Sequence, residues 1–454
     1  IGIILAIIQF ILSVVLAVNV MLFNVLTSTY FLVLIGVLLI LLGITLLTQI
    51  AAKGKGIGGK IFCILICIIL GVGSFYIGKV NNAFQKITGS NKKTSSMVVA
   101  VKADDNADTL SAAAGYTFGV QYATGGDQTK SAVKQIEKEL GQNITLQEYS
   151  NLGEEAQALY DGEVDAIIYN SAYSNIIKEQ YSTFTKDTKV IYKHNIVVEI
   201  ESDTSDESVT KPFAVYLSGI DTNGDITEQG RSDVNIVAVV NPTSHQVLLI
   251  TTPRDYYVPI PGVSGGQDDK LTHAGIYGVD VSMQTLEELY DTDIEFFGRV
   301  NFTSMTSVVD ALGGLDVESD LEFDTGWESG AEIHVNEGMN HFDGISALAF
   351  CRERQALPDG DNGRGVHQQA VITAIIKKMM SPAMLRGASD IIESVSDGVD
   401  TNFTSSQIQL LIKTQLRTNA KWNIYSVAAD GTGGTDICYS SGDEELYVTY
   451  PDEN

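Results

Sequence analysis

Three apolar runs in the first eighty residues constrain this chain more than any other feature. Ile1–Phe23, Tyr30–Leu47 and Ile61–Gly78 carry no charged side chain and are interrupted only by uncharged polar residues such as Gln9, Ser13 and Asn19. Each approaches the ~20 residues that a helix needs to cross a hydrocarbon core. A secretory signal would offer one shorter run and a small-residue cleavage site, so three runs imply a retained anchor. Between the second and third lies Lys53-Gly-Lys55-Gly-Ile-Gly-Gly-Lys60, the most basic short loop. The positive-inside rule makes that loop cytoplasmic, with the N-terminus inside and everything after Gly78 outside. Because the chain opens within an apolar run, a cytoplasmic leader is expected ahead of it.

Charge separates the two parts. Residues 1–80 hold four lysines and no Asp or Glu, so of the 29 basic and 56 acidic residues, 25 and 56 belong to the remainder. Such a balance excludes nucleic acid as a partner, since the phosphate backbone requires a large basic face. It suits a solvated exterior part. Four cysteines do not make a disulfide framework. Cys63 and Cys67 lie in the third apolar run, and Cys351 and Cys438 are expected to be buried free thiols.

The exterior part divides at an acidic, Ser/Thr-rich segment, residues 201–211 (ESDTSDESVTK), which reads as a linker. Before it, Lys79–Ser96 is polar and reads as a stalk over residues 79–97. Residues 98–200 then alternate strand and helix: Tyr116–Gln121, Thr129–Leu140, Ile144–Tyr149, Glu154–Tyr160 and Val164–Tyr169. This βαβαβ rhythm implies a small accessory α/β domain with parallel strands. After the linker, residues 212–454 read as a larger α/β domain. Strands are expected at Phe213–Leu217, Val234–Val240 and Gln246–Thr252, the last two joined as a hairpin by Asn241-Pro-Thr-Ser244. Helices are expected at Val281–Tyr290, Phe302–Leu312, Gly344–Phe350 with Asp343 as N-cap, Gln368–Met380, Ile391–Val395 and Ser406–Arg417, with a late strand at Trp422–Val427.

Two motifs fail in context. Gly262-Val-Ser264-Gly-Gly266 has the spacing of a nucleophile elbow, but Pro259 and Pro261 stand where its strand belongs and Gln267-Asp-Asp-Lys270 where its helix belongs. Asp221-Thr-Asn223-Gly-Asp225-Ile-Thr227 opens like a calcium loop, yet the obligatory Gly and Glu positions hold Ile226 and Ser232. There is no P-loop and no zinc spacing, and the six histidines are scattered.

One constellation remains. Asp221 ends a strand, Arg231-Ser-Asp233 leads into the next, and Arg254-Asp255 closes its hairpin partner. Charges at the ends of buried strands face a common polar crevice in α/β sheets. A second segment carries Arg352, Glu353, Arg354, Asp361, Arg364, Gln368 and Gln369 on a Gly/Pro/Asp stretch read as irregular, with Arg352 and Arg354 sharing a face if the backbone is extended. Arginine forks with two or more aspartates suit phosphoryl or pyrophosphoryl chemistry. The carboxylates hold Mg²⁺, and the guanidiniums take up charge on phosphorus and leaving group.

In order and spacing, these residues resemble the catalytic region of the LytR–CpsA–Psr phosphotransferases of Gram-positive bacteria. The resemblance runs over residues 212–380, through Gly219-Ile-Asp221, Arg231-Ser-Asp233, Thr252-Pro-Arg254-Asp255, Lys270-Leu-Thr-His273-Ala-Gly275, Val309-Asp-Ala-Leu-Gly-Gly314, Asp343-Gly-Ile-Ser-Ala-Leu-Ala-Phe350, Arg352-Glu-Arg354, Gly360-Asp361, Arg364 and Gln368-Gln369. Three apolar runs and an accessory domain resemble the capsule-associated CpsA branch. The resemblance implies an α/β/α sandwich with a central mixed sheet and an apolar cleft for a lipid chain. It implies transfer of a glycopolymer, capsular polysaccharide in that branch, from a polyprenyl-pyrophosphate carrier to peptidoglycan at the outer face of the membrane, with a possible side reaction of pyrophosphate hydrolysis. Asp221 and Asp233 then coordinate Mg²⁺. Arg231, Arg254, Arg352, Arg354, Arg364 and Gln368 hold phosphates, and Asp233, Arg254 and Asp361 are the catalytic candidates, Asp361 as a support or proton acceptor. One position departs from the family pattern: His367 stands where arginine is usual, directly before the paired glutamines. The alternative reading is a surface sensor that binds lipid phosphates or solutes without turnover.

Overall fold

The structure, a computed structural model, describes residues 2–51, 56–88, 92–123, 125–199, 205–220, 226, 229–358, 360–379, 398–442 and 444–452. The three apolar runs form helices Gly2–Phe23, Ser28–Ala51 and Ile57–Ile87, each long and apolar enough to cross a membrane. Aliphatic side chains cover the outside of the bundle, while Gln9 is fully buried. Its Oε1 accepts from Thr45 Oγ1 at 2.7 Å and from Cys63 Sγ at 3.2 Å, so one amide joins all three helices. Polar contacts of this kind hold helices together where lipid tails and leucines are equally apolar.

The expected stalk is a correction. The third helix continues to Ile87, and the strand Lys92–Lys102 already belongs to the next sheet. Thr94, Ser95 and Ser96 are buried, with Ser95 Oγ donating to Gln229 Oε1 (2.7 Å) and Ser96 Oγ to Asn195 Oδ1 (2.8 Å). Polar composition there reflects satisfied buried hydrogen bonds, not a tether.

The first unit after the apolar helices is a five-stranded sheet ordered Thr145–Tyr149, Thr117–Gln121, Ala166–Asn170, Lys92–Lys102, Thr188–Glu199. The expected βαβαβ core supplies its three parallel strands, with helices Gly126–Leu140 and Leu152–Asp161 between them. Lys92–Lys102 runs antiparallel to both its neighbours. The linker expected over 201–211 is partly packed structure. Residues 201–204 lie outside the described set, but Val209 is buried in the core of the second unit, and Gln407 Nε2 donates to Ser205 O at 2.9 Å.

The second unit centres on a six-stranded sheet ordered Val399–Thr401, Phe296–Asn301, Phe213–Ile220, Ser232–Asn241, Gln246–Thr251, Asn423–Ala428. Period-2 alternation sends Ala214, Tyr216, Val237 and Phe297 to one face, where Val279 and Leu286 of the Val279–Tyr290 helix cover them. Phe213, Val215, Ile236 and Phe296 face the other side, toward Leu410 and Leu411 of the Ser405–Thr418 helix and Ile372 of the Gly360–Met379 helix. Helices on both faces of a mixed sheet make this an α/β/α sandwich. Cys351 and Cys438 are buried free thiols, as expected. The expected helix Ile391–Val395 lies outside the described residues. The two α/β units share one apolar cluster, in which Val98, Ala100, Tyr173 and Phe184 meet Ile260, Ala274, Ile276 and Tyr277.

The strand Phe296–Asn301 carries Arg299 at 1% exposure, its Nε donating to Asp400 Oδ2 at 3.1 Å on the antiparallel edge strand. Removing one partner of a buried pair leaves an uncompensated charge. We expect Asp400→Ala to destabilise the full chain by ~3 kcal/mol or more in chemical denaturation, with an Arg299→Met/Asp400→Leu double variant recovering most of that loss.

Candidate functional site

The site is built around the entry to the Ser232–Asn241 strand. Ser232 is fully buried, its Oγ within 2.8 Å of Tyr216 Oη and 2.7 Å of Ser218 Oγ, while Tyr216 Oη donates to Asn235 Oδ1 (2.7 Å) and Asn235 Nδ2 to Ser232 O (2.9 Å). This network fixes the residue between Arg231 and Asp233 from beneath. From one side the Leu271–Tyr277 helix comes so close that a Cβ on Gly275 would stand 2.7 Å from Gly230 O and 2.8 Å from Ser232 N. From the other, buried Gln229 accepts at Oε1 from Ser95 Oγ (2.7 Å) and Asn170 Nδ2 (2.9 Å) of the first unit.

Asp233 and Arg254 each keep 18% of the side chain exposed, and Arg254 Nη1 donates to Asp233 Oδ1 at 2.8 Å. Thr272 Oγ1 donates to the same oxygen at 3.3 Å. Arg254 Nε also lies 3.4 Å from buried Asp255 Oδ2, which is further tied to Lys270 Nζ at 3.5 Å through Oδ1. Arg364 is buried on the Gly360–Met379 helix, which packs against the end of the Gln246–Thr251 strand at Gly365, where a Cβ would meet Thr251 Cγ2 at 3.2 Å. Burial alone pushes the Asp233 carboxyl up. The Arg254, Arg231 and Arg364 guanidiniums outweigh it and hold the group below the ordinary carboxylate range. The structure therefore brings Arg231, Asp233, Arg254 and Arg364 together.

The arginine segment differs from its expected form. The Gly344–Arg352 helix, capped by Asp343 accepting from Ser346 N at 2.8 Å, runs through Arg352, and the next helix begins at Gly360 instead of Gln368. Arg352 is half-buried on a helical turn and Arg354 is exposed on the following bend, so the shared extended face is absent. The cause is Glu353, a residue to which the sequence reading gave no role. It is 2% exposed, with Oε2 accepting from Gly326 N (2.8 Å) and Ser329 Oγ (2.9 Å) and Oε1 from Arg354 N and Ala356 N (2.9 Å each). Burial opposes its charge, and these four bonds overcome it, holding the carboxyl below its usual range. The glutamines fasten the second helix: Gln368 Nε2 donates to Cys351 O (3.5 Å) and Gln369 Nε2 to Val427 O (2.5 Å). Asp221 lies outside the described residues, together with residues 222–225 of the calcium-like loop. Asp361 sits on the first turn of the Gly360–Met379 helix, and its side chain is likewise outside that set.

His367 is buried in an aromatic stack. Its ring lies 3.9 Å from that of Phe350 and 5.3 Å from that of Phe323, nearly parallel to both, and Nδ1 contacts Phe350 O at 3.3 Å. Burial pushes its pKa down to about 4. At this position the chain therefore carries a neutral aromatic spacer in the core rather than a phosphate cation. Ser264 is 2% exposed with Oγ bonded to Ile260 N (2.9 Å), a turn staple. His273 is fully buried against Asp269 (2.7 Å), and Ser440 Oγ joins both at 3.0 Å, fixing the C-terminal segment.

Two outcomes are expected. Glu353→Gln turns an amide nitrogen toward backbone N–H groups, so chemical denaturation should report a loss of ~2 kcal/mol. His367 takes up its proton in the unfolded chain near pH 6.5 but in the folded chain only at about 4. Stability should accordingly fall as pH drops through that window and level off below it, and His367→Phe should flatten that part of a melting-temperature profile between pH 7 and 4.

Transferases named polyisoprenyl-teichoic acid–peptidoglycan teichoic acid transferase TagU are 34% identical over 248 residues in Bacillus cereus, covering 54% of this chain and 76% of the relative. In Enterococcus faecalis the figures are 37% over 196 residues, 43% and 62%. The crystal structure of B. subtilis TagV matches at 27% identity and a TM-score of 0.45, covering 54% of this chain and 92% of that one. The LytR_cpsA_psr family profile matches residues 167–449, from the Ala166–Asn170 strand of the first unit to the last strand of the second. With more than half its length inside that match, the chain belongs to the LytR_cpsA_psr family.

Proposed function

We propose that the chain is a membrane-anchored phosphotransferase that moves a glycopolymer from a polyprenyl-pyrophosphate carrier to peptidoglycan on the outer face of the membrane. The carrying observation is the convergence of Arg231, Arg254 and Arg364 on Asp233 at the strand ends. Guanidinium forks in a half-buried crevice suit a pyrophosphate, whose charge shifts during transfer from the bridging oxygen to the departing lipid phosphate. The three N-terminal helices keep that crevice near a bilayer, where a lipid-linked donor resides. Relatives named as teichoic acid transferases favour a teichoic-acid-like polymer over the capsular polysaccharide expected from the CpsA resemblance.

In this reading an acceptor hydroxyl attacks the sugar-proximal phosphorus, the bond from that phosphorus to the bridging oxygen breaks, and polyprenyl phosphate departs. Arg254 and Arg364 take up the leaving charge, Arg231 orients the donor, and the hydroxyl proton passes to a site carboxylate, for which Asp361 is the candidate. For Mg²⁺, the donor chemistry fits a cation shared with substrate. Both bonds that Asp233 accepts from the described residues fall on Oδ1, leaving Oδ2 to ligate. No cluster of three metal-ligating side chains exists among the described residues. Magnesium is typically held by one or two carboxylates together with substrate phosphates. Asp233 and Asp221 would hold it, and it would neutralise pyrophosphate charge.

The test uses the full chain in detergent with Mg²⁺, a polyprenyl-pyrophosphate-linked glycan and a peptidoglycan fragment. We expect transfer that falls at least ~100-fold in Arg364→Ala, falls on Mg²⁺ removal, and leaves the melting temperature of Arg354→Ala unchanged while weakening its donor binding. Tight donor binding without turnover in the wild type, with acceptor present, would favour the sensor reading and refute this one.

A further inference from the structure

The Ser405–Thr418 helix does more than cover the sheet. At its N-terminal end Ser405 Oγ meets Thr88 Oγ, just past the third membrane helix, at 2.5 Å. Farther along, Lys413 Nζ donates to Asn24 Oδ1 at 2.6 Å in the turn joining the first two membrane helices. These contacts put that turn and the end of the third helix on the same side of the bundle. Between the turn and the C-terminal half of the Ser405–Thr418 helix lies a cavity of about 390 Å³. One wall is mostly apolar, with Val20, Met21, Leu26 and Phe31 at the ends of the membrane helices beside the polar turn residues Asn24, Thr27 and Ser28, and the other carries Lys413 and Arg417.

Among the described residues no carboxylate lines this cavity, in a chain with 56 acidic and 29 basic residues. Arg417 is exposed and makes no ion pair among the described residues. Helix ends of a membrane bundle lie at the depth of lipid headgroups. An apolar wall continuous with membrane helices, facing two cations, matches one ligand chemistry: a phosphate diester headgroup with acyl chains attached. The site shares no residue with the Asp233–Arg254 cluster. We propose that this cavity binds one anionic glycerophospholipid of the leaflet facing the exterior units. Its phosphate lies between Lys413 and Arg417, and its chains run along Val20, Met21 and Phe31. Bound there, the lipid clamps the Ser405–Thr418 helix to the bilayer and fixes the tilt of the exterior part over the membrane.

Native mass spectrometry of the full chain in detergent, titrated with phosphatidylglycerol, phosphatidylcholine or a polyprenyl monophosphate, tests this. The expected result is one tightly retained phosphatidylglycerol per chain, with phosphatidylcholine binding weakly. A Lys413→Gln/Arg417→Gln variant with unchanged melting temperature should lower phosphatidylglycerol affinity about 30-fold, two cations at ~1 kcal/mol each. Lys377→Gln, an exposed lysine outside the cavity, should leave it unchanged. Equal retention of the zwitterionic lipid, loss of binding in Lys377→Gln as large as in the double variant, or preferential retention of polyprenyl monophosphate would each overturn the proposal.

Discussion

The structure depends on keeping the Asp233 carboxylate ionised at the end of a strand otherwise committed to the core. Burial works against the charge, so cations must arrive from elsewhere, and each comes from a different element. Arg231 precedes the strand itself, Arg254 follows the antiparallel partner after Thr252-Pro253, and Arg364 rides on the Gly360–Met379 helix. Two hairpin strands and a helix more than a hundred residues later are thereby brought together at the same end of the sheet. An anionic substrate adds a compensating charge to this arrangement. Three guanidiniums around one carboxylate leave a net positive site in a strongly acidic chain.

How much of this the sequence disclosed follows from which residues carry a local signal. Membrane helices announce themselves through unbroken hydrophobicity, and hairpin strands such as Ser232–Asn241 and Gln246–Thr251 through β-branched runs around Asn-Pro. Arg231, Asp233 and Arg254 stand out because charge beside a buried strand is costly without a purpose, and Arg364 as one of three arginines on a short Gly/Pro/Asp segment. Other elements hid for specific reasons. The strand Phe296–Asn301 contains Arg299, whose partner Asp400 lies a hundred residues later, so nothing local explains an arginine in a central strand. The hairpin Gly431–Ile437 with Glu445–Pro451 has no strand expectation attached to it, its first strand being rich in glycine. The Tyr447 and Tyr450 rings lie over Gly433 and Gly434, occupying the space where side chains would stand.

The arginine segment failed for a subtler reason. Its Gly, Pro and Asp residues suggested irregular backbone throughout, yet the break is short and a single buried carboxylate organises it. Glu353 gathers donors from the Gly326–Ser329 turn and from its own bend, so the direction taken by Arg352 and Arg354 is decided by a residue between them. Spacing arguments about side chains on one face assume a uniform backbone, and this carboxylate removes that uniformity. His367 is the companion case. A charge-based comparison expects a missing phosphate contact, whereas the stack with Phe350 and Phe323 makes the position part of the apolar lobe that carries the helix. In that lobe a neutral ring packs at no charge cost, while a guanidinium would need a partner.

The first α/β unit acquires a physical role from one side chain. Gln229 is buried two residues before Arg231, and its carbonyl oxygen accepts from Ser95 and Asn170, which belong to adjacent strands of the other sheet. The opposite flank of the same segment is closed by Gly275, on a helix whose Ala274, Ile276 and Tyr277 are buried in the cluster shared with the first unit. That helix also supplies Thr272 to Asp233. Both restraints on the backbone at Arg231 thus run through the first unit, one directly and one through the helix. A shift of that sheet by even a fraction of an ångström would move Arg231 and Thr272 together, because packed interfaces transmit displacement instead of absorbing it. The geometry of the arginine crevice is in this sense a joint property of the two units, with the core of the first bearing on the segment that leads into the Ser232–Asn241 strand of the second.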